Sequence, residues 1–308
     1  MWREGEVEAG GTRFLVRGLG GFDPLEPQQL DDGELIVLLH GWPEDGSSFE
    51  RVAPLLVAAG YRVACPDLKG FGRSDVPRRG YDPATLADEM SQLIQALGAR
   101  KAILVGHDFG GAVALSTAFR HPGRVEALVI ASSPFRQIDL IASWHIPLLN
   151  LPVVPEITFR LVGRPLTRAV IRYAAQHQEV FDEAALDRYA DAVTAVPRGW
   201  LAYYRTLSRR AVCDIGVRRL RRLLPLVGDP EGPHRLRVPV AVVWGEQDRV
   251  TPYRLGIGVA RDLDAVLVPL PGVGHFVHEE APEAFASAIL ELAGSGADRD
   301  ATSRWPSG

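Results

Sequence analysis

The chain has 308 residues, of which 46% are hydrophobic and 23% are charged. That length and composition can support a full hydrophobic core, either as one large domain or as a core with an insertion. The formal net charge of −4 gives no reason to expect nucleic acid or an acidic membrane as a partner.

Cysteine usage and the N-terminus point to an ordinary intracellular protein. Cys65 and Cys213 are the only cysteines, and their separation suits neither a disulfide framework nor a zinc site. The first six residues contain no apolar signal segment, and the most apolar stretch, 146–157, is interrupted by three prolines. We therefore expect a cytoplasmic protein with no membrane insertion. Its oligomeric state is left open, a homodimer included.

Short apolar runs alternate with helical patterns over the first third of the chain, as a mostly parallel sheet flanked by helices requires. The apolar runs predict strands at 13–17, 35–39, 62–64, 102–105 and 127–131. The segments with helical periodicity lie between them, at 48–59, 83–97 and 111–120.

After Pro134 the alternation stops, and helical patterns such as 183–193 and 199–210 continue without a strand to about residue 226. It resumes with predicted strands at 240–244 and 265–268 and helices at 253–262 and 282–292. The simplest α/β architecture is one sheet with a helical cap inserted between two strands, over the carboxyl ends of the strands. The predicted divisions are a core at 1–133 and 229–293, a cap at 134–228 and a disordered tail at 294–308.

One stretch has the pattern of a nucleophile elbow. Residues 105–111 read Val-Gly-His-Asp-Phe-Gly-Gly, after an apolar run and before a helical one. The small residues permit a sharp turn that presents Asp108 at the end of the sheet. A carboxylate needs no base to remove its proton before it attacks, so an aspartate here suits displacement at saturated carbon. The product would be an ester that must then be hydrolysed.

Three further stretches fit Asp108 in order and context. The His-Gly-Trp-Pro loop at 40–43 places the N–H of Trp42 near the elbow, and with the N–H of Phe109 it would form a two-donor oxyanion hole. Asp248 follows a late strand, and His275 lies in the loop after the last strand. The chain order is nucleophile, acid, histidine. His278 is a rival for the histidine, and Glu246 and Asp264 are rivals for the acid.

With these motifs, and with the segment 67–75 (Asp-Leu-Lys-Gly-Phe-Gly-Arg-Ser-Asp), residues 10–293 resemble the α/β-hydrolase fold family. The resemblance is to its aspartate-nucleophile branch, which comprises epoxide hydrolases and haloalkane and haloacid dehalogenases. It implies that Asp108 forms an alkyl-enzyme ester, and that His275, oriented by Asp248, activates the water that hydrolyses the ester. No metal or organic cofactor is required by this chemistry.

The resemblance also implies proton donors from the cap. Epoxide hydrolases similar to this chain use a tyrosine in an aromatic-Tyr-Arg context, which Tyr204 matches, and a second donor earlier in the cap. His145 is the best match for that second donor and Tyr173 is a weaker one. Tyr204 could instead be a packing aromatic. The predicted contacts to a small hydrophobic substrate are Trp42, Phe109, Trp144 and Tyr203.

The resulting expectation is hydrolysis of a hydrophobic epoxide to a vicinal diol. A haloalkane or haloacid dehalogenase is the alternative. Haloalkane dehalogenases usually have a tryptophan after the nucleophile, whereas Phe109 has no side-chain donor for a halide. Haloacid dehalogenases place arginines there, and Ala112 and Val113 carry no charge. A third hypothesis is a ligand-binding α/β-hydrolase without catalysis, which would not need Asp108, Asp248 and His275 together.

Overall fold

The computed structural model describes residues 1–26, 34–134, 145–206, 236 and 238–297, and within them an eight-stranded sheet forms the centre. The strands are β1 (Arg3–Ala9), β2 (Thr12–Leu19), β3 (Leu35–Leu39), β4 (Arg62–Pro66), β5 (Ala102–His107), β6 (Val125–Ala131), β7 (Val240–Gly245) and β8 (Val266–Leu270). Their order across the sheet is β1-β2-β4-β3-β5-β6-β7-β8. All neighbours from β4 to β8 are parallel, whereas β1–β2 and β2–β4 are antiparallel.

Helices cover both faces of this sheet. The helices in the described ranges are α1 (Ala53–Ala58), α2 (Pro83–Ala96), α3 (Phe109–Arg120), α4 (His145–Leu149), α5 (Val154–Ala174), α6 (Glu183–Ala195), α7 (197–206), α8 (Tyr253–Leu263), α9 (Val277–Glu280) and α10 (Pro282–Ala297). One core cluster packs α2, α3 and α8 on one face, and the other packs α1, α9 and α10 on the opposite face. Because both faces are covered, β3, β5 and β7 are buried along their whole length.

The predicted α/β fold class is therefore confirmed, with local differences. The strand β1 was not predicted, because its charged residues Arg3, Glu4, Glu6 and Glu8 hide the alternation of a strand at the edge of the sheet, where only one face is buried. The helix expected at 48–59 is a short 3-10 turn, Gly46–Phe49, followed by α1. Helix α10 runs to Ala297, four residues into the expected tail.

Helices α4 to α7, here called the inserted helices, lie between β6 and β7 in the chain. They pack on the core through aromatic rings: Phe159 of α5 and Trp200 of α7 contact Trp42 of the core, with ring centroids 6.3 and 5.7 Å away. The cap boundaries at 134 and 228 remain a prediction, since 135–144 and 207–235 lie outside the described residues. Within the described ranges, no helix combines the length and the hydrophobicity needed to cross a bilayer.

Candidate active site

The sharp turn predicted at Asp108 is present between β5 and α3. Asp108 has φ 46° and ψ −116°, a conformation that is strained for a residue with a side chain. Two glycines make the turn possible because their neighbours leave no room for a Cβ atom. A Cβ on Gly106 would lie 2.3 Å from the carbonyl oxygen of Gly110, and a Cβ on Gly110 would lie 2.1 Å from that of Leu39. The close approach of β3, β5 and α3 thus presents the Asp108 carboxylate at the carboxyl end of the sheet.

The loop after β3 supplies a donor to this carboxylate. The backbone N–H of Trp42 donates a hydrogen bond to Asp108 Oδ2 at 3.1 Å. Gly41 permits the approach, since a Cβ there would lie 2.5 Å from that of Asp108. Phe109 begins α3, so its N–H has no acceptor within the helix. Of the two predicted oxyanion-hole residues, Trp42 therefore contacts the carboxylate directly, and Phe109 follows Asp108 in the chain.

The predicted acid and histidine are in direct contact. His275 Nδ1 lies 2.8 Å from Asp248 Oδ2. The other oxygen, Oδ1, accepts hydrogen bonds from the N–H groups of Val250 and Thr251, both at 2.8 Å, and the Thr251 hydroxyl donates to Oδ2 at 2.7 Å. Four bonds hold the carboxylate in one orientation. Since Nδ1 faces Asp248, Nε2 is the nitrogen of His275 left for a water or a substrate.

The charge of Asp108 also affects the pKa of His275. Burial alone lowers the pKa of His275, but the charges of Asp248 and Asp108 outweigh it and raise the pKa to about 9. Burial tends to raise the pKa of Asp248, yet His275 and the hydrogen bonds from Thr251 leave it below its usual value. At neutral pH the resting site therefore holds an imidazolium between two carboxylates.

The rivals for these roles lie elsewhere. His278 is fully buried, and its Nε2 lies 2.9 Å from Glu44 Oε1. Asp264 terminates α8 in the left-handed conformation, and Glu246 is exposed beyond β7. Of the candidate acids, Asp248 is the one that the described structure pairs with His275.

Two side chains from the inserted helices lie close enough to Asp108 for its charge to act on their pKa values. The ring of Tyr204, on α7, packs edge-on against Phe109 at 4.8 Å, and His145, at the start of α4, lies 6.0 Å from Tyr204. Burial raises the pKa of Tyr204 well above its usual value, and the charge of Asp108 raises it further. Burial lowers the pKa of His145, although the charge of Asp108 opposes the change. Both groups therefore sense the charge of Asp108, and both are neutral at pH 7.

The remaining predicted residues are placed differently. Tyr203 is fully buried, and its ring packs against Phe71, Tyr81 and Phe109. Tyr173 is 58% exposed near the end of α5, which favours His145 over Tyr173 as the group near Asp108. Trp144 lies outside the described residues.

A buried cluster that the sequence analysis did not identify lies behind His275. His107 Nδ1 is 3.1 Å from Glu44 Oε2, while its Nε2 is 3.0 Å from the carbonyl oxygen of His275. Since a carbonyl only accepts, Nε2 is the donor in the bond to His275. Burial tends to raise the pKa of Glu44, but His278 and His107 lower it well below its usual value. The sequence signal was available, because His107 and Glu44 adjoin the elbow and the Trp42 loop.

The donor types in this cluster are those that zinc binds, and the ligand atoms of Glu44, His107 and His278 lie within 4.8 Å of one another. His107 Nδ1 and His278 Nε2 are both within hydrogen-bond distance of the Glu44 carboxylate, whereas His278 Nδ1 has no partner among the described residues. Its hydrogen bonds support the backbone of His275 through His107, and we assign no ion to it.

Comparison with known proteins identifies the family. A model of the alpha/beta hydrolase fold family matches residues 34–282 of the chain. The chain belongs to this family. The match spans the Trp42 loop, the elbow, Asp248 and His275, so all four lie within the α/β-hydrolase part of the chain.

Individual relatives of this α/β hydrolase carry different names. It is 36% identical over 289 residues to epoxide hydrolase 3 of Xenopus tropicalis, covering 84% of this chain and 71% of the relative. It is 30% identical over 266 residues to the magnesium-chelatase 30 kDa subunit of Rhodobacter capsulatus, covering 84% and 87%. A solved structure of a mutant epoxide hydrolase from Solanum tuberosum has a TM-score of 0.77 over 96% of this chain and 100% of that one, at 21% identity, which shows the fold alone. Together the family and its epoxide hydrolase members support a hydrolase.

Proposed function

We propose that this α/β hydrolase converts a hydrophobic epoxide to a vicinal diol through a covalent ester on Asp108. The observation that carries the proposal is that Tyr204 and His145, two protic groups from the inserted helices, have ring centroids 6.0 Å apart and that the charge of Asp108 acts on the pKa of both. Opening an epoxide expels an alkoxide, which leaves readily only when a proton donor meets it. A site with a carboxylate facing two such groups has the parts that this reaction needs.

In the first step, Asp108 Oδ1 attacks an epoxide carbon and the bond from that carbon to the ring oxygen breaks. Trp42 N–H already occupies Oδ2, so Oδ1 is the freer oxygen. Tyr204 gives its proton to the departing oxygen, and the neutral His145 donates an N–H hydrogen bond to the same oxygen. The products of the step are an alkyl ester of Asp108 and a Tyr204 phenolate.

In the second step, His275 takes a proton from water, and the hydroxide attacks the ester carbonyl carbon. The carbonyl oxygen is the former Oδ2, where the N–H groups of Trp42 and Phe109 stabilise the negative charge by about 3 kcal/mol per donor. The ester bond breaks and the diol leaves. Asp108 regains its charge with one oxygen from water, the hydrogen left on that oxygen passes to the departing alkoxide, and His275 keeps the proton that it took from water, as in the resting site.

The charge on Asp108 supports this order of events. It is one of the causes that raise the pKa of His275 to about 9 in the resting site. Alkylation removes that charge, so the pKa of His275 falls and the ring can then pass its proton through solvent to the Tyr204 phenolate. His275 therefore becomes a base only after the ester has formed.

The surroundings of the carboxylate support an apolar substrate. The rings of Trp42, Phe159 and Trp200 pack on one another with centroid separations of 4.6 to 6.3 Å. Tyr204 connects them to Phe109, with centroids 6.0 Å from Trp200 and 4.8 Å from Phe109. Such walls favour aryl or alkyl epoxides over charged ones, because a charged substrate would lose hydration without a paired counter-ion.

The test is to trap the ester. His275→Gln removes the base and keeps the first step, so incubation with styrene oxide should add the mass of one substrate to the Asp108 peptide. In single turnover of the unaltered enzyme in heavy-oxygen water, the label should enter the Asp108 side chain and leave the first diol unlabelled. Asp108→Asn is the matched control and should give no adduct. A label found only in the diol would contradict the ester mechanism.

One observation favours a dehalogenase as the second candidate. Within the described part of the chain, the indole Nε1–H of Trp42 is buried without a hydrogen-bond partner, and an indole N–H is a donor that a departing halide could use. Phe109 supplies no second side-chain donor, so the halide would be held weakly. Release of bromide from 1-bromoalkanes, measured beside diol formation from styrene oxide, separates the two reactions.

A further inference from the structure

A cavity lies away from Asp108, between the core and the inserted helices. Its volume is about 630 Å³, and the residues 77–82 before α2 form one wall while α7 forms the other. The polar side chains in the wall are four arginines, a tyrosine and an aspartate: Arg78, Arg79, Arg198, Arg205, Tyr81 and Asp82. Four guanidinium groups around one cavity make a strongly positive surface.

Most of this positive charge is not neutralised. Among the described residues, no carboxylate lies within 4.0 Å of Arg78, Arg79 or Arg198, and the one hydrogen bond recorded for Arg198 is to the carbonyl oxygen of Val76 at 3.0 Å. Arg205 differs from these three because Glu156 pairs with it at 2.6 Å.

The acid in the wall, Asp82, adds one negative charge but forms no ion pair with these three arginines. Both oxygens of Asp82 are engaged at the start of α2, where they accept bonds from the N–H and hydroxyl of Thr85 at 3.0 and 2.7 Å. Three arginines therefore remain available to an anion.

Tyr81 forms the inner side of the cavity wall. Tyr81 is 4% exposed, and its hydroxyl is buried without a hydrogen-bond partner in the described structure. A buried hydroxyl without a partner costs about 1–3 kcal/mol. Tyr81 also lines the cavity, but its hydroxyl is buried within the wall, so the groups open to a ligand are the arginines.

This cavity is separate from the proposed active site. The ring of Tyr81 packs on Tyr203 at 5.5 Å, and Tyr203 packs on Phe109 at 5.3 Å. Tyr203 is fully buried. A layer of aromatic rings thus lies between the arginines and Asp108, and a ligand at the arginines would not contact the reacting carboxylate.

We propose that this cavity binds the phosphate group of a small molecule. Arg78, Arg79 and Arg198 would donate to the phosphoryl oxygens. Phosphate fits better than a carboxylate because it carries up to two charges and more acceptor oxygens, which three guanidinium groups can share. Since the walls belong to the core and to α7, the bound phosphate would join the two.

The test uses the full chain with inorganic phosphate and pyrophosphate as probes. Calorimetric titration at low salt should give saturable binding at one site, and the melting temperature should rise with phosphate concentration. Arg78→Gln/Arg79→Gln should raise the phosphate Kd by at least about 10-fold, since charge-assisted hydrogen bonds are lost. Both side chains are exposed, so the variant should fold normally.

The matched control removes two arginines elsewhere. Arg3→Gln/Arg261→Gln makes the same charge change at side chains 66% and 71% exposed outside the cavity, and should leave the Kd unchanged. The proposal would be overturned by a lack of saturable binding, by an equal loss of phosphate affinity in the control variant, or by acetate that binds as tightly as phosphate. None of these readouts depends on epoxide turnover.

Discussion

At the scale of single residues, Tyr204 offers the sharpest test of the proposed ring opening. Tyr204→Phe keeps the packing against Phe109 and removes the proton donor. We expect the rate of ester formation from styrene oxide to fall by about 100-fold or more, as losses of general acids do, in single-turnover measurements. Tyr173→Phe is the control, because that side chain is 58% exposed and should not affect the rate. Equal rates for Tyr204→Phe and the unaltered enzyme would remove Tyr204 from the mechanism.

His275 gives a second residue-scale prediction, which concerns its pKa. Asp108→Asn imitates the neutral ester and removes one of the charges that raise the pKa to about 9. We expect the pKa of His275, followed by NMR of its ring protons, to be lower in Asp108→Asn than in the unaltered protein. Asp191→Asn removes a carboxylate from the surface of α6 and should leave the titration unchanged. If the two variants titrate alike, Asp108 does not control the protonation of His275.

Sequence reasoning worked best for residues whose position in the fold follows from their immediate neighbours in the chain. Asp108 has glycines on both sides, and Asp248 and His275 follow strands, so local context was enough to predict their places. Glu44 was missed because its partners, His107 and His278, are 63 and 234 residues away. Local patterns carry no information about such contacts.

At the scale of elements, the turn between β5 and α3 depends on glycines pressed against other backbone. A Cβ on Gly110 would lie 2.1 Å from the carbonyl oxygen of Leu39, and neither backbone can move without disturbing β3 or α3. We expect Gly110→Ala to lower the free energy of unfolding by at least about 3 kcal/mol, the upper range for overpacking, in urea titrations. Gly123→Ala is the control, since nothing lies within 4 Å of its added Cβ. A stable Gly110→Ala protein with normal turnover would contradict this account of the elbow.

The elements themselves were predictable where burial is uniform. Strands β3, β5 and β7 are buried on both faces and therefore read as continuous apolar runs. Strand β1 is an edge strand with alternating charge, and the short α1 follows a 3-10 turn, so neither produced its own signal. The extension of α10 through Gly294 to Ala297 is also against local preference; a helix that is already formed can continue at small cost, since nucleation is the expensive step.

At the scale of the whole molecule, the proposed chemistry joins two parts that are distant in sequence. The core supplies Asp108, Asp248 and His275, and the inserted helices supply Tyr204 and His145. The aromatic contacts of Trp42 with Phe159 and Trp200 hold the parts together beside the carboxylate. Order along the chain predicted which residues belong to each part, but their approach depends on long-range packing that no local pattern encodes.

Global stability should depend on pH through a buried acid outside the proposed active site. Glu279, on α9, is buried, and Tyr189 donates a hydrogen bond to its Oε1 at 2.6 Å. Burial, helped by the charge of Glu44, raises the pKa of Glu279 to about 8. The folded state therefore holds this proton more tightly than the unfolded chain, whose glutamates have a pKa of about 4.3. Stability from the neutral acid is complete below that value and is lost as pH rises through about 8.

Glu279→Gln keeps the acceptor for Tyr189 and removes the ionisation. Urea titrations at pH 5, 7 and 9 would give the free energy of unfolding of this variant. We expect it to fall less with rising pH than that of the unaltered protein. At pH 9 the variant should be more stable by roughly a few kcal/mol. The stability contributed by the raised pKa of His275 also declines towards pH 9, but equally in both proteins. Glu291→Gln, exposed on α10, should follow the unaltered profile. Parallel profiles for Glu279→Gln and the unaltered protein would show that Glu279 ionises without cost in the folded state.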